Sequence, residues 1–110
     1  MELDFATNKL RKRLSSEKEM VREHGPDNAR LLMRRLAVLL AAPSLAEVPT
    51  QRPERCHRLL GQREGQYAVD LKAGLRLIFR PDPQPPQTPH GNHDLTAVRR
   101  IIILAVEDYH

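Results

Sequence analysis

The chain has 110 residues, of which 40% are hydrophobic and 29% charged, and its formal net charge at pH 7 is +4. This length and composition are typical of one globular domain over residues 1–110, and they exclude a multidomain enzyme and an intrinsically disordered chain. No apolar run approaches the roughly 18 to 20 residues of a membrane span, and the first residues lack a signal-peptide pattern, so we expect a cytoplasmic protein without a membrane partner.

The first residues predict a short strand followed by a helix. Leu3 and Phe5 alternate with acidic residues, which is typical of a strand with one apolar face. Leu10 and Leu14 then stand four residues apart in a basic stretch, which favours a helix. The segment Ser16–Glu19 has the spacing of a capping box, so helical structure is expected to restart there.

A second helix is predicted from Asn28 to Ala42. Gly25 and Pro26 stop the helical stretch before it, and Pro43 ends it. Its apolar stripe is formed by Leu32, Leu36, Leu39 and Leu40. Three arginines are expected outside the stripe, on a polar side available to a partner: Arg30, Arg34 and Arg35.

After a proline-containing loop the apolar period changes from about 3.6 to 2, which indicates a sheet. Cys56–Leu60 is a candidate first strand, and the alternation in Tyr67–Leu71 and Leu75–Phe79 predicts two strands joined by a tight turn. The odd-numbered positions of both strands are expected to face the core.

The last part of the chain predicts one long connection and one strand. The segment 81–97 contains five prolines and few apolar residues, so we expect a mobile or polyproline-like excursion between strands. The nearly continuous apolar run Val98–Val106 is typical of a central strand buried on both faces.

Arginines are concentrated in the predicted sheet. Fourteen of the 18 basic residues are arginine, and residues 51–80 hold seven basic residues against three acidic ones. Arg76 and Arg80 share the sheet face opposite the core, where Arg55, Arg63 and His57 could join them. Guanidinium groups bind phosphates in bidentate fashion, so this face is a candidate RNA-phosphate site. A solvated face with salt bridges to Asp70 and Glu64, or the codon bias of a GC-rich genome, would explain the same arginines.

Other polar groups give weaker signals. His90 and His93 lie in the proline-rich loop without a fixed third ligand, so we expect no metal site and no cofactor. Cys56 is expected to be a small buried side chain that forms no disulfide. The chain ends in Asp108, Tyr109 and His110, groups suited to proton transfer if held by the preceding strand, although final residues are usually frayed.

Three segments taken together resemble the RelE/ParE superfamily of bacterial toxins, specifically the HigB-type plasmid-maintenance killer proteins. They are RCHRLLGQREGQYAVDL (residues 55–71), GLRLIFRP (residues 74–81) and the terminal AVEDYH (residues 105–110). The resemblance implies an α+β fold in which an N-terminal helical hairpin packs on a small twisted, mostly antiparallel sheet.

The resemblance also implies an activity: metal-independent endoribonuclease cleavage of mRNA on the translating ribosome, neutralised by a cognate antitoxin of the helix-turn-helix type. Arg76 matches the family's sheet arginine, and His57 matches a second histidine of some relatives. Asp108, Tyr109 and His110 match the family's C-terminal residues. Arg55, Arg63 and Arg80 are the expected contacts to RNA phosphates.

Two departures from the family leave alternatives open. Residues 60–62 replace a turn common in close relatives, and the lysine pair of the RelE branch has no counterpart. The alternatives are a non-catalytic, ParE-like inhibitor of DNA gyrase and a degenerate toxin that only binds an antitoxin.

Overall fold

Two N-terminal helices pack against a five-stranded sheet in the computed structural model, which describes residues 1–108. The helices are α1 (Asn8–Leu14) and α2 (Glu17–Ala41). The strands are β1 (Glu2–Phe5), β2 (His57–Arg58), β3 (Tyr67–Asp70), β4 (Leu75–Pro81) and β5 (Arg100–Asp108). The predicted α+β fold class is confirmed. Among residues 1–108, neither helix has the combination of length and apolar composition that a membrane span requires.

Side-chain caps begin both helices. The Thr7 hydroxyl accepts a hydrogen bond from the Leu10 backbone N–H over 3.1 Å, and the Ser16 hydroxyl accepts one from that of Glu19 over 3.2 Å. The second cap confirms the helix start predicted at Ser16. Gly25 interrupts the helical geometry of α2 with φ 84° and ψ 165°, which confirms the break predicted there. Glycine adopts this left-handed φ without a clash at Cβ.

The apolar stripe of α2 includes an arginine that the sequence pattern places outside it. Arg35 follows the fully buried Leu32 by three residues and is itself only 5% exposed. Its Nε donates to the Asp70 backbone oxygen over 2.7 Å, and its Nη2 donates to the Pro53 backbone oxygen over 3.4 Å. The prediction of an exposed Arg35 is therefore wrong, because two carbonyl oxygens of the facing segments bind the guanidinium inside.

The strand order in the sheet is β1-β5-β4-β3-β2. β1 pairs with β5 in parallel, and the other neighbours are antiparallel. In the β3–β4 hairpin Tyr67 pairs with Phe79 and Val69 with Leu77, and all four are buried in the main core. This confirms the predicted alternation, and it sets the even-numbered residues of both strands on the opposite face, here called the open face.

β5 differs from its prediction in its start and in its burial. It begins at Arg100 and not at Val98. Ile101 and Ile103 are fully buried, whereas Ile102 and its open-face neighbours are only half-buried. The prediction of burial on both faces is wrong, because the helices cover only one face of the sheet.

The segment 81–97 folds back on itself, so the expected polyproline-like excursion is wrong for its second half. The Thr88 N–H donates to the Asn92 oxygen over 2.5 Å, and Gln87 and His93 form an isolated antiparallel bridge. The Asp94 side chain then caps a short 3-10 turn, Leu95–Ala97. Local hydrogen bonds within residues 87–96 thus form a compact turn in place of an extended chain.

The first predicted strand of the sheet is much shorter than expected, covering His57–Arg58 and not Cys56–Leu60. The residues after it, 59–66, form a loop with a 3-10 turn at Gly61–Arg63. Cys56 is buried, as expected, and burial raises the pKa of its thiol to about 12.

Candidate functional site

The open face carries one row of charged residues across three strands. Asp70 on β3 pairs with Arg76 on β4, and Arg76 pairs on its other side with Glu107 on β5. Residues paired directly across neighbouring strands have Cβ atoms about 5 Å apart, so a cation lies between two anions. The Nε atom of Arg76 is buried from solvent.

Arg55 approaches this row from the segment before β2. Its Nε donates to Asp70 Oδ2 over 2.5 Å and its Nη2 donates to Asp70 Oδ1 over 3.1 Å, a two-point contact that fixes the plane of the guanidinium. Arg55 has a positive φ of 45°, and the Asp70 N–H donates to the Glu54 oxygen over 2.8 Å. The bend before β2 is therefore bound to β3 through both backbone and side chain.

Arg63 approaches the row from the other end, out of the loop 59–66. Its Nη2 lies 2.9 Å from Glu107 Oε1 and 2.6 Å from Oε2, and this carboxylate raises the pKa of the Arg63 guanidinium. The pair joins residues 44 positions apart and ties the loop to β5. Arg55, Arg63 and Arg76 are here called the arginine cluster. Together with the carboxylates of Asp70 and Glu107, these side chains have a formal net charge of +1.

A small cavity of about 120 Å³ opens beside the cluster at the end of the β3–β4 hairpin. Arg55, Asp70 and Arg76 line it together with Gly74 and its neighbours. Two guanidinium groups at one cavity suit an anionic group such as a phosphate. Within residues 1–108 no group of three or more His, Cys, Asp or Glu side chains is placed to hold a metal ion.

Arg80 shares the open face with Arg76, as predicted, but it does not extend the cluster. Ile78 lies between them at 1% exposure and packs with Leu59 and Ala68 in a second, smaller apolar core. The nearest carboxylate to Arg80 is that of Asp82 at 3.8 Å. The face is therefore divided by an apolar patch, because the loop 59–66 brings Leu59 over its centre.

His57 lies on the edge strand and lines a different cavity from the one beside the cluster. It pairs with Ala68, two residues from Asp70, so strand spacings put its Cα about 12 Å from that of Arg76. Its Nδ1 is 2.7 Å from the Arg55 backbone oxygen, which can only accept a hydrogen bond, so Nδ1 is the donor of this bond.

Asp108, the last described residue, is exposed and pairs with Leu75 on the side of the sheet opposite Glu107. It lines a cavity of about 230 Å³ with His24 and Lys72, next to α2. The structure therefore does not bring the Asp108 side chain to the arginine cluster. Tyr109 and His110, the other two C-terminal candidates, lie outside the described residues.

Sequence reasoning missed two roles in this site: Glu107 as the partner of Arg63, and Asp70 as the carboxylate that fixes Arg55. The sequence pattern offers Asp70 only as a salt-bridge partner on a solvated face, and it gives Glu107 no role. The signal that points to both is an acid next to the last apolar residue of a predicted strand, facing Arg76 on the neighbouring strand.

Comparison with known proteins adds no relative: no protein-family model and no curated protein matches the chain.

Proposed function

We propose that the protein is the toxin of a type II toxin–antitoxin system, related to the HigB-type members of the RelE/ParE superfamily. In this proposal it acts in the cytoplasm as a metal-independent endoribonuclease that cleaves mRNA on the translating ribosome. The support from the sequence is the resemblance of its sheet segments and its last residues to that family.

The observation that carries the proposal is the arginine cluster. Three segments bring Arg55, Arg63 and Arg76 to one end of the open face. Asp70 binds Arg55, Glu107 binds Arg63, and Arg76 lies in register between the two acids. Preorganised guanidinium groups stabilise the negative charge that develops on the phosphate oxygens during displacement, because they need no reorientation as the transition state forms.

The proposed reaction is an in-line displacement at phosphorus. A base removes the 2′-hydroxyl proton, the 2′-oxygen bonds to the adjacent phosphorus, and the bond from phosphorus to the 5′-oxygen breaks as an acid protonates that oxygen. Arg76 stabilises the charged intermediate, and Arg55 and Arg63 bind the flanking phosphates. Tyr109 and His110 are the proposed acid and base, with His57 as a more distant alternative. Arg80 lies beyond the apolar patch, so it is proposed to contact a phosphate further along the RNA.

The proposed protein partner is a small cognate antitoxin of the helix-turn-helix type. The outer side of α2 suits such a partner, because Arg30 and Arg34 are exposed there next to two exposed apolar side chains, Met33 at 36% and Leu40 at 57%. Arg35, which the sequence analysis included in this surface, belongs to the core instead. Purification of the toxin free of any partner from its natively co-expressed operon would contradict the proposal.

The experiment that tests the function is induction in growing bacteria with mapping of new mRNA 5′ ends, read alongside replication and DNA damage. New ends at fixed positions within codons, lost in Arg76→Ala, are the expected result. Gyrase-linked DNA damage without new mRNA ends would overturn the nuclease in favour of a ParE-like inhibitor. The Arg76→Ala protein should still bind antitoxin, which checks its folding.

A further inference from the structure

A cavity of about 310 Å³ lies at the β2 edge of the sheet, away from the arginine cluster. This volume is at the lower end of the roughly 300–1,000 Å³ of small-molecule sites. Leu45, Leu95 and Tyr67 contribute to its walls. Tyr67 is held rigidly, because its ring stacks on Phe79 with centroids 6.1 Å apart.

A few polar groups share this mainly apolar cavity. His93 and Asn92 come from the loop 81–97, and His57 and Arg58 come from β2. The Nδ1 atom of His93 is buried, and it has no hydrogen-bond partner among the described residues. Buried polar atoms are seldom left without a hydrogen bond, so this nitrogen is available to a polar group that enters the cavity.

We propose that this cavity binds a nucleobase. The faces of a base are apolar, as is most of the cavity lining, and its edge carries both donors and acceptors, so it satisfies His93 in either tautomer as well as the Asn92 amide. The Nε2 atom of His57, which takes no part in the bond to Arg55, gives a further polar contact for the edge of the base. Arg58, exposed at the rim, is positioned for the phosphate of the same nucleotide.

The base could belong to single-stranded RNA or to a free nucleotide. The assignment to RNA rests on the proposed function. β2 separates the cavity from the arginine cluster, and the His57 ring is hydrogen-bonded to the Arg55 backbone. A strand of RNA crossing this two-residue edge would place a phosphate at the cluster and an unstacked base in the cavity. Recognition of splayed single-stranded bases is the usual way in which proteins read RNA sequence.

The test is an NMR titration of the full chain with AMP, GMP, CMP and UMP, and with ribose 5-phosphate as the probe that lacks a base. We expect saturable shifts of the His93 and Tyr67 signals with at least one nucleotide and none with ribose 5-phosphate. His93→Phe keeps a flat ring but removes both nitrogens, and it should weaken binding about 3- to 10-fold. His90→Phe, an exposed residue of the same loop, is the matched control and should leave binding unchanged.

A second variant, Ala46→Phe, adds a ring to the cavity wall and should abolish binding even if His93→Phe perturbs its loop. Equal binding of ribose 5-phosphate, or nucleotide binding that survives both variants, would overturn the proposal. If a short RNA binds at least tenfold more tightly than the mononucleotide and is weakened by His93→Phe, RNA is the source. If only mononucleotides bind, a free nucleotide is the source. Because the titration does not depend on RNA cleavage, it tests base binding independently of the proposed nuclease activity.

Discussion

Replacing Arg35 is the sharpest test of how the helical layer supports the site. The side chain is 5% exposed and donates to the backbone oxygens of Asp70 and Pro53 over 2.7 and 3.4 Å. Arg35→Met keeps most of the apolar volume of the side chain but removes both donors. The substitution also removes a hydrogen bond to the backbone of Asp70, the residue whose carboxylate binds Arg55.

The magnitude follows from the two bonds. A hydrogen bond to a charged group contributes about 1.5–3 kcal/mol, and the short bond from Nε should carry most of the effect. Removing the guanidinium also removes its desolvation cost, which offsets part of the loss. We therefore expect Arg35→Met to lower the free energy of unfolding by about 2–3 kcal/mol, whereas the exposed Arg34→Met should change it by less than about 0.5 kcal/mol.

Urea denaturation of the two variants measures this difference, provided that the m-value stays that of the unmodified protein. Arg35→Met and Arg34→Met proteins of equal stability would refute the structural role of the buried guanidinium.

Four further predictions follow from individual residues. Cys56 should resist iodoacetamide near pH 8 in the folded protein and react fully in urea, as counted by mass spectrometry, because burial raises the pKa of its thiol to about 12. Asp4→Asn should destabilise the protein at neutral pH, with the difference shrinking in acid denaturation below about pH 4. The reason is that the Phe5 N–H and the Arg11 guanidinium lower the pKa of Asp4 from 3.8, so its stabilisation is lost as the pH falls through the folded value. Gly25→Ala should cost about 1–2 kcal/mol in urea denaturation, since the added Cβ meets no atom within 4 Å but φ is 84°. Glu107→Gln should tighten RNA binding at low salt and increase the number of ions released on binding by up to about one, because it removes one of the two carboxylates beside the arginine cluster; unchanged affinity at every salt concentration would contradict this.

The sequence predicts best those elements whose stability comes from one buried face. The β3–β4 hairpin is such a case, because Tyr67, Val69, Leu77 and Phe79 alternate with polar residues and all pack into one core. The cap at Ser16 and the break at Gly25 are equally predictable, since each depends on a side chain or backbone angle within a few residues.

Features that depend on distant partners could not be predicted. Arg35 appears polar in any helical pattern, and its acceptors lie 18 and 35 residues away in the chain. The Arg63–Glu107 pair spans 44 residues, and the apolar patch around Ile78 exists only because Leu59 folds over the sheet. Alternation could therefore place Arg76 and Arg80 on one face, but it could not show that this face is divided.

The measurement that tests the central claim most directly is mRNA cleavage in a reconstituted translation reaction, with product 5′ ends mapped. The unmodified protein, Arg76→Gln and Arg22→Gln would be compared; the last removes the same charge from the helical layer, where Arg22 pairs with Glu19. We predict that Arg76→Gln slows cleavage by about 10²- to 10³-fold, whereas Arg22→Gln cleaves at the unmodified rate. Cleavage by Arg76→Gln at the unmodified rate, or no cleavage by the unmodified protein, would contradict the assignment of the arginine cluster as the catalytic centre.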